Sequence, residues 1–343
     1  MRPHRLRVPA KQIAVRVDAS STIGTGHVHR CLTLARLLRE ADCNVTFLMD
    51  TTLPGQMGER VAREGFAVAP PLHAAIPPNT DWLILDHYTL DAAWETPARA
   101  YARRIMVIDD LANRPHDADM LLDQNLHAAP EVRYKNLTPP GCLFLCGAAY
   151  ALLRPEFAAT RAASQQRQYN APATRALITF GGSDADNVTG KAVAALLGLP
   201  GLHLDVVMGG GAVHLAAIKK IAAANPAAIT LHIDTPHMAA LMQTADIALA
   251  AAGTTTWERC CLGLPSLVLA IADNQLELGQ NVHEAGAHQY LGWHENINEQ
   301  ALRAAFMGYS ANAALRAAQS SKALSLVDGL GANRVAAALL NSL

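Results

Sequence analysis

The sequence predicts an α/β protein of two doubly wound, Rossmann-like domains facing a central cleft, and three observations carry that expectation. At 343 residues the chain exceeds what one hydrophobic core normally organises, so two domains of similar size are expected. Short apolar runs alternate with amphipathic stretches along both halves, the pattern of parallel strands covered by helices on both faces. About 160–174 the chain turns polar and rich in Gln, Arg and Ser. The junction is expected there, between an N-terminal domain over 1–165 and a C-terminal domain over 172–343.

The first strand is read over 12–18, Gln12-Ile13-Ala14-Val15-Arg16-Val17-Asp18. The turn Thr22-Ile23-Gly24-Thr25-Gly26-His27 joins it to a helix whose Cys31, Leu34, Ala35 and Leu38 recur at helical spacing. Gly24 and Gly26 permit a tight turn and close backbone approach, and the free N–H groups of a helix start draw an anion. His27 is then expected to face that anion as neutral imidazole, because the positive end of a helix disfavours a second positive charge. The alternative is that His27 caps the helix and the glycines only turn the chain. Runs at 44–49, 81–85 and 105–108 read as further strands, and 142–146 is strand-like.

In the second half, strands are read at 175–180, 203–208, 229–233, 246–250 and 266–270. Helices fill the gaps, the last near 331–343 being long enough to pack across the junction. Phe180-Gly181-Gly182-Ser183-Asp184 is a second anion-type loop, with Ser183 or Asp184 able to cap the helix that follows. It is not a Walker loop, and no GxGxxG fingerprint occurs in the chain. The glycines 209–211 read as a plain strand-to-helix turn. A third constellation starts a helix at Gly253, offering N–H groups and the hydroxyls of Thr254 and Thr255 to phosphate. Glu258, one turn further in, can accept two hydrogen bonds from a ribose diol, and Asp273-Asn274-Gln275 follows the next strand.

Composition narrows the partners. A formal net charge of -1 with basic residues spread along the chain, and only 5% aromatic residues, argue against nucleic acid and anionic membranes. No uninterrupted apolar run is long enough to span a bilayer, and Lys11, Arg16 and Asp18 break the stretch after the basic N-terminus before a signal core forms. The six cysteines include no CxxC pair, which fits reduced thiols and a cytoplasmic protein. Asp109 and Asp110 lack metal-ligand spacing and read as loop caps, so no metal and no cofactor are expected.

The stretch Gly253-Thr254-Thr255-Thr256-Trp257-Glu258 to Pro265 resembles the nucleotide-sugar signature of the two-domain GT-B glycosyltransferase superfamily of MurG type, in which the glutamate holds the nucleotide ribose. Arg16-Val17-Asp18-Ala19-Ser20 followed by Ile23-Gly24-Thr25-Gly26-His27-Val28-His29-Arg30-Cys31-Leu32 resembles the start of the UDP-2,4-diacetamido-2,4,6-trideoxy-beta-L-altropyranose hydrolase (PseG) family. That likeness continues through Asp86-His87-Tyr88, Ile108-Asp109-Asp110-Leu111-Ala112, Asp123-Gln124-Asn125, Gly181-Gly182-Ser183-Asp184 and Asp328-Gly329-Leu330-Gly331-Ala332-Asn333-Arg334. His29 stands where that family has methionine, and Ala185 where it commonly has proline.

The resemblance implies hydrolysis of a UDP-sugar at the anomeric carbon, with water as nucleophile and inversion. The products are UDP and 2,4-diacetamido-2,4,6-trideoxy-L-altropyranose, on the route to pseudaminic acid. It implies His27 as general base, with Asp18, Gly24, Gly26, Arg30, Asp86, His87 and Tyr88 binding substrate. It further implies that Gly182, Ser183, Gly253, Thr254, Thr255, Glu258, Asn274 and Gln275 bind the nucleotide. Asp86-His87-Tyr88 reads equally as a strand-end turn with a packed tyrosine, and Asp18 is a candidate to orient His27. The rival readings are a GT-B glycosyltransferase or hydrolysing epimerase acting on another UDP-sugar, and a nucleotide-sugar-binding protein without turnover. Water and the small-molecule UDP-sugar are the expected partners. The oligomeric state stays open.

Overall fold

The structure, a computed structural model, describes residues 10–18, 26–50 and 57–342, and it divides into two compact units. The first takes in the chain up to residue 124, 128–152 and the segment from 332 onward; the second takes in 125–127 and 153–331.

The first unit is one parallel sheet of seven strands: β1 (Gln12–Val17), β2 (Asn44–Leu48), β3 (Ala67–Ala69), β4 (Thr80–Asp86), β5 (Ala102–Ile108), β6 (Met120–Asp123) and β7 (Leu143–Cys146). Their order is β3-β2-β1-β4-β5-β6-β7, so the winding reverses between β1 and β4. Helices cover both faces of such a sheet, which is why β4 and β5 are near-continuous apolar runs rather than alternating ones. Helix Gly26–Glu40 buries Cys31, Leu34, Ala35 and Leu38 against Phe47, Trp82 and Met106. In an open sheet of this kind ligands sit beyond the carboxyl ends of the strands, at the reversal.

The last helix, Gly331–Asn341, belongs to this first unit although the chain of the second unit precedes it. Its Ala332, Val335 and Leu339 complete the core around Trp82, whose indole N–H donates to the Leu339 carbonyl at 3.0 Å. Lys11 Nζ reaches the Leu340 carbonyl at 3.1 Å, and Arg334 the Ala149 carbonyl at 2.9 Å.

The second unit carries a six-stranded parallel sheet in the order β10-β9-β8-β11-β12-β13, made of β8 (Arg175–Thr179), β9 (His203–Met208), β10 (Ile229–Ile233), β11 (Ile247–Ala251), β12 (Ser266–Ala270) and β13 (Gln289–Trp293). It has its own core, with Ile178, Phe180, Leu249, Leu267 and Phe306 at the centre. The polar stretch about 160–174 lies within this unit, beyond the division at Leu152–Leu153. Its arginines explain its composition: Arg161 donates to the carbonyls of Cys261, Leu324 and Val327, and Arg167 to those of Met242 and Ala245. These are helix and turn carbonyls that helix geometry leaves unpaired.

Among the described residues one helical stretch, Ala313–Asn341, is apolar and long enough by composition to cross a membrane. It is broken at 327–330 into two helices, and its Ala323, Val335 and Leu339 are buried.

Leu339→Ala tests the place of the last helix. It removes a fully buried side chain from the first core and is expected to lower stability by about 2–5 kcal/mol in urea denaturation followed by tryptophan fluorescence.

Candidate active site

At the sheet reversal of the first unit, the helix that follows β1 and the end of β4 bring four side chains together. Asp86, the last residue of β4, is 1% exposed and receives four donor groups from three side chains. Arg30 clasps it with two hydrogen bonds of 2.6 Å, from Nε to Oδ2 and from Nη2 to Oδ1. His27 Nδ1 lies 2.5 Å from Oδ1, and the Cys31 thiol is 3.5 Å from Oδ2. His27, Arg30 and Cys31 fall on one helix face at the spacing i, i+3, i+4, so a single turn delivers all three to the carboxylate.

The carboxylate decides the tautomer of the histidine. Burial alone would raise the Asp86 pKa, but the charge of Arg30, then that of His27, and their hydrogen bonds outweigh it and hold the group well below the ordinary carboxylate range. An ionised carboxylate only accepts, so the 2.5 Å contact requires a proton on Nδ1, and whenever the ring carries a single proton it is Nε2 that accepts. The approach of Arg30 Nη2 to Nδ1, 3.1 Å, is then two donors sharing one acceptor. Tyr88 packs edge-on against the imidazole, ring centroids 4.5 Å apart, and limits its rotation.

Asp18, a candidate to orient His27, does something else. Its Oδ2 takes Arg16 Nη2 at 2.6 Å and stands 3.4 Å from His87 Nε2, while Oδ1 accepts the Asp50 amide at 2.8 Å. Burial would raise this carboxyl too; the bonds from His87, Arg16 and Asp50 hold it down. The orienting role falls to Asp86 because β4, not β2, flanks β1 on the side that His27 faces. His87 is otherwise tied locally, its Nδ1 accepting from the Thr89 amide. Gly24 lies outside the described residues; Gly26 is half-buried at the helix start.

Around these side chains stand Arg114 and Tyr134, which sequence reasoning did not single out. Arg114 pairs with Asp109 at 2.6 Å and with the His87 carbonyl at 2.7 Å. Asp109 also caps the Ala112 amide, and Tyr134 bridges the Asp109 carbonyl and Asp123. The Asp109–Ala112 and Asp109–Arg114 contacts are local to the loop after β5, as the loop-cap reading of Asp109 expects, whereas those of Arg114 with the His87 carbonyl and of Tyr134 with Asp109 and Asp123 join different elements and leave no sequence signal.

In the second unit, Glu258 sits in helix Thr255–Cys261, half-buried, with Arg154 Nη2 3.6 Å from its Oε1. Burial, partly opposed by Arg154, pushes its carboxyl up to about 6. Thr254 is exposed at the helix start and makes no side-chain cap; Thr255 Oγ1 accepts from Arg259, which also holds the Ala251 carbonyl. Gln275 lies beside Gly253, where a Cβ would stand 3.5 Å from its Nε2, and Asn274 is exposed next to it.

In the loop after β8, Asp184 is the capping residue of the two that the sequence offered. Gly182 and Ser183 are exposed, but Asp184 accepts the amides of Val188 and Thr189, so those amides at the start of helix Val188–Leu196 are already satisfied from within the chain. The exposed Gly182–Ser183 backbone, rather than those amides, is left for an anion. The run 209–211 is more than a plain turn: a Cβ on Gly209 would sit 2.4 Å from the Gly182 carbonyl oxygen, so glycine is required for the two loops to touch.

The architecture is of the GT-B type. The crystal structure of Acinetobacter baumannii MurG matches with a TM-score of 0.68 over 96% of this chain and 99% of that one, at 15% identity. In sequence, the spore coat polysaccharide biosynthesis protein SpsG of Bacillus subtilis strain 168 is 29% identical over 196 residues, 56% of this chain and 57% of that protein. The UDP-2,4-diacetamido-2,4,6-trideoxy-beta-L-altropyranose hydrolase of Campylobacter jejuni subsp. jejuni is 27% identical over 184 residues, 52% of this chain and 63% of that protein. The chain thus spans less than two thirds of the length of each of these two sequence relatives. No protein-family model matches it.

Arg30→Met leaves the Asp86 charge buried with half its donors gone. A loss of about 3–5 kcal/mol in urea denaturation at pH 7 is expected. The wild-type contribution of Asp86 is present above the ordinary carboxylate pKa and declines as pH falls toward the depressed folded value. The gap between wild type and variant should therefore narrow in acid.

Proposed function

We propose that the chain is a UDP-sugar hydrolase that cleaves the anomeric carbon–oxygen bond with inversion. The observation that carries this reading is the 2.5 Å contact between His27 Nδ1 and the buried Asp86, itself clasped by Arg30. A histidine fixed in one tautomer by a buried carboxylate is the arrangement of a general base. In the proposed reaction, water donates its proton to His27 Nε2 while its oxygen bonds to the anomeric carbon. The electron pair of the breaking carbon–oxygen bond leaves with UDP. A diphosphate departs without needing a proton, so only one protein acid–base group is required, where glycosidases use two carboxylates. A single displacement inverts the configuration.

Glu258 takes the ribose hydroxyls in this reading, and the exposed Gly182–Ser183 and Gly253–Thr254 backbones take the diphosphate. The name of the Campylobacter relative supports a 2,4-diacetamido-2,4,6-trideoxy sugar as substrate, within pseudaminic acid synthesis. The GT-B fold of MurG favours a second reading, transfer of the sugar to an acceptor alcohol. The two differ in whether UDP is released from the nucleotide sugar in water alone.

His27→Asn is expected to lower the rate of UDP release about a hundred- to ten-thousand-fold while UDP still binds in calorimetry. Near-normal turnover would remove the base role from His27. In heavy-oxygen water the label should enter the sugar and not UDP, with inverted configuration by NMR.

Glu258 gives a pH signature. Binding the ribose diol needs the ionised carboxylate, so the affinity for UDP should fall as pH drops through about 6. The nucleotide phosphate itself titrates in this range. Glu258→Gln should bind UDP more weakly at pH 8 and should lose the part of the acid-side decline that Glu258 causes. Superimposable pH profiles for the two proteins would place Glu258 away from the ribose.

A further inference from the structure

Five aspartates follow one another at the carboxyl ends of β1, β4, β5 and β6: Asp18, Asp86, Asp109, Asp110 and Asp123. Four have partners on neighbouring elements. Asp18 is held by Arg16 and the Asp50 amide, Asp86 by Arg30 and His27, Asp109 by Arg114 and the Ala112 amide, and Asp123 by the Tyr134 hydroxyl.

Asp110 is different. Its Oδ1 is closed off from solvent and has no hydrogen-bond partner among the described residues, and Arg133 approaches only its backbone carbonyl. Register fixes its place: Ile108 stands opposite Asp86 across the β4–β5 pair, and Asp110 lies two residues beyond it. The Asp109 amide meanwhile turns to the Leu122 carbonyl of β6. Asp110 is thus carried past the strand end beside the Asp86 cluster, within electrostatic reach of Arg30, Asp109, Asp123 and His27.

A buried polar atom without a partner costs free energy, and native chains keep few of them. One that adjoins a poised base is accounted for if a ligand completes it. Burial raises the Asp110 pKa, the Arg30 charge opposes that, and the charges of Asp109 and Asp123 add to it, so the carboxyl holds its proton to higher pH than an exposed one. A protonated carboxyl both donates and accepts. The neighbouring carboxylates would repel an anionic substituent.

We infer that Asp110 is a sugar-binding residue of this site, pairing through its buried Oδ1 with an uncharged hydrogen-bonding substituent of the sugar, a hydroxyl or an amide. The inference rests on the reading of the site as one that takes a UDP-sugar.

The test compares wild type with Asp110→Ala and Asp110→Asn. KM and kcat are measured with the UDP-2,4-diacetamido-2,4,6-trideoxy sugar, Kd for UDP and for that nucleotide sugar by calorimetry, and the thermal midpoint of each protein. Asp110→Ala should raise KM and the nucleotide-sugar Kd about tenfold with the UDP Kd unchanged. Asp110→Asn, which keeps a donor and an acceptor, should stay within about threefold. Since Oδ1 has no partner without ligand, neither change should lower the thermal midpoint. An unchanged nucleotide-sugar Kd in Asp110→Ala, an equal loss for UDP, or a lowered midpoint or failure to fold each overturns the inference. Wild type that binds the nucleotide sugar without hydrolysing it overturns the proposed reaction alone, and Asp110 is then judged on the two dissociation constants. Wild type that binds no nucleotide sugar overturns both.

Discussion

The first unit is organised around a carboxylate that has been taken out of water. Asp86 lies at the end of a central strand with almost no solvent contact, and an isolated charge there would cost several kcal/mol. Its partners come from the adjoining helix, and the geometry tolerates little variation: a guanidinium fork closes on both oxygens, leaving one direction from which an imidazole can share Oδ1. The helix must therefore start where it does and pack at its observed rotation, which its buried stripe of Cys31, Leu34, Ala35 and Leu38 enforces. Packing of the helix and charge compensation of the carboxylate are one constraint seen from two sides.

The second unit handles charge in another way. Among the described residues Glu258 has one, longer contact to Arg154 and is correspondingly easy to protonate, whereas Asp86 is saturated and stays ionised. A carboxylate whose donors are built into the protein serves to fix another group. One that is under-supplied is available to a ligand. The same contrast separates Asp18, Asp109 and Asp123 from Asp110.

Much of this was legible in the order of residues. The central strands announced themselves as apolar runs because they are buried on both faces, and His27 stood out because glycines and a helix start preceded and followed it. β3 at three residues, β6 at four, and the half-buried edge strand β13 with a positive φ at Gly292 carry too little periodicity to read. The partner of His27 was not legible, since Asp86 is 59 positions away and Asp18 only 9, and just the spatial order of strands decides between them. Likewise the unit boundary escaped notice where Arg161 and Arg167 look like linker composition but are spent on buried carbonyls. The capping of Val188 and Thr189 by Asp184, rather than by Ser183, depends on a left-handed backbone at Asp184 that no local pattern specifies.

The return of the last helix to the first unit bears on how the molecule is made. A chain leaving the ribosome usually folds its N-terminal domain first. Here the positions taken by Val335 and Leu339 stay empty, and the Trp82 indole lacks its carbonyl acceptor, until the chain has run through the whole of the second unit. The unit bearing Asp86 is thus open until residues beyond 331 are made, while nearly all of the second unit, one continuous segment from 153 to 331, has everything it needs earlier. For these two units the order of birth and the order of completion run opposite ways, and of the two the one with the histidine site is the later to acquire its support.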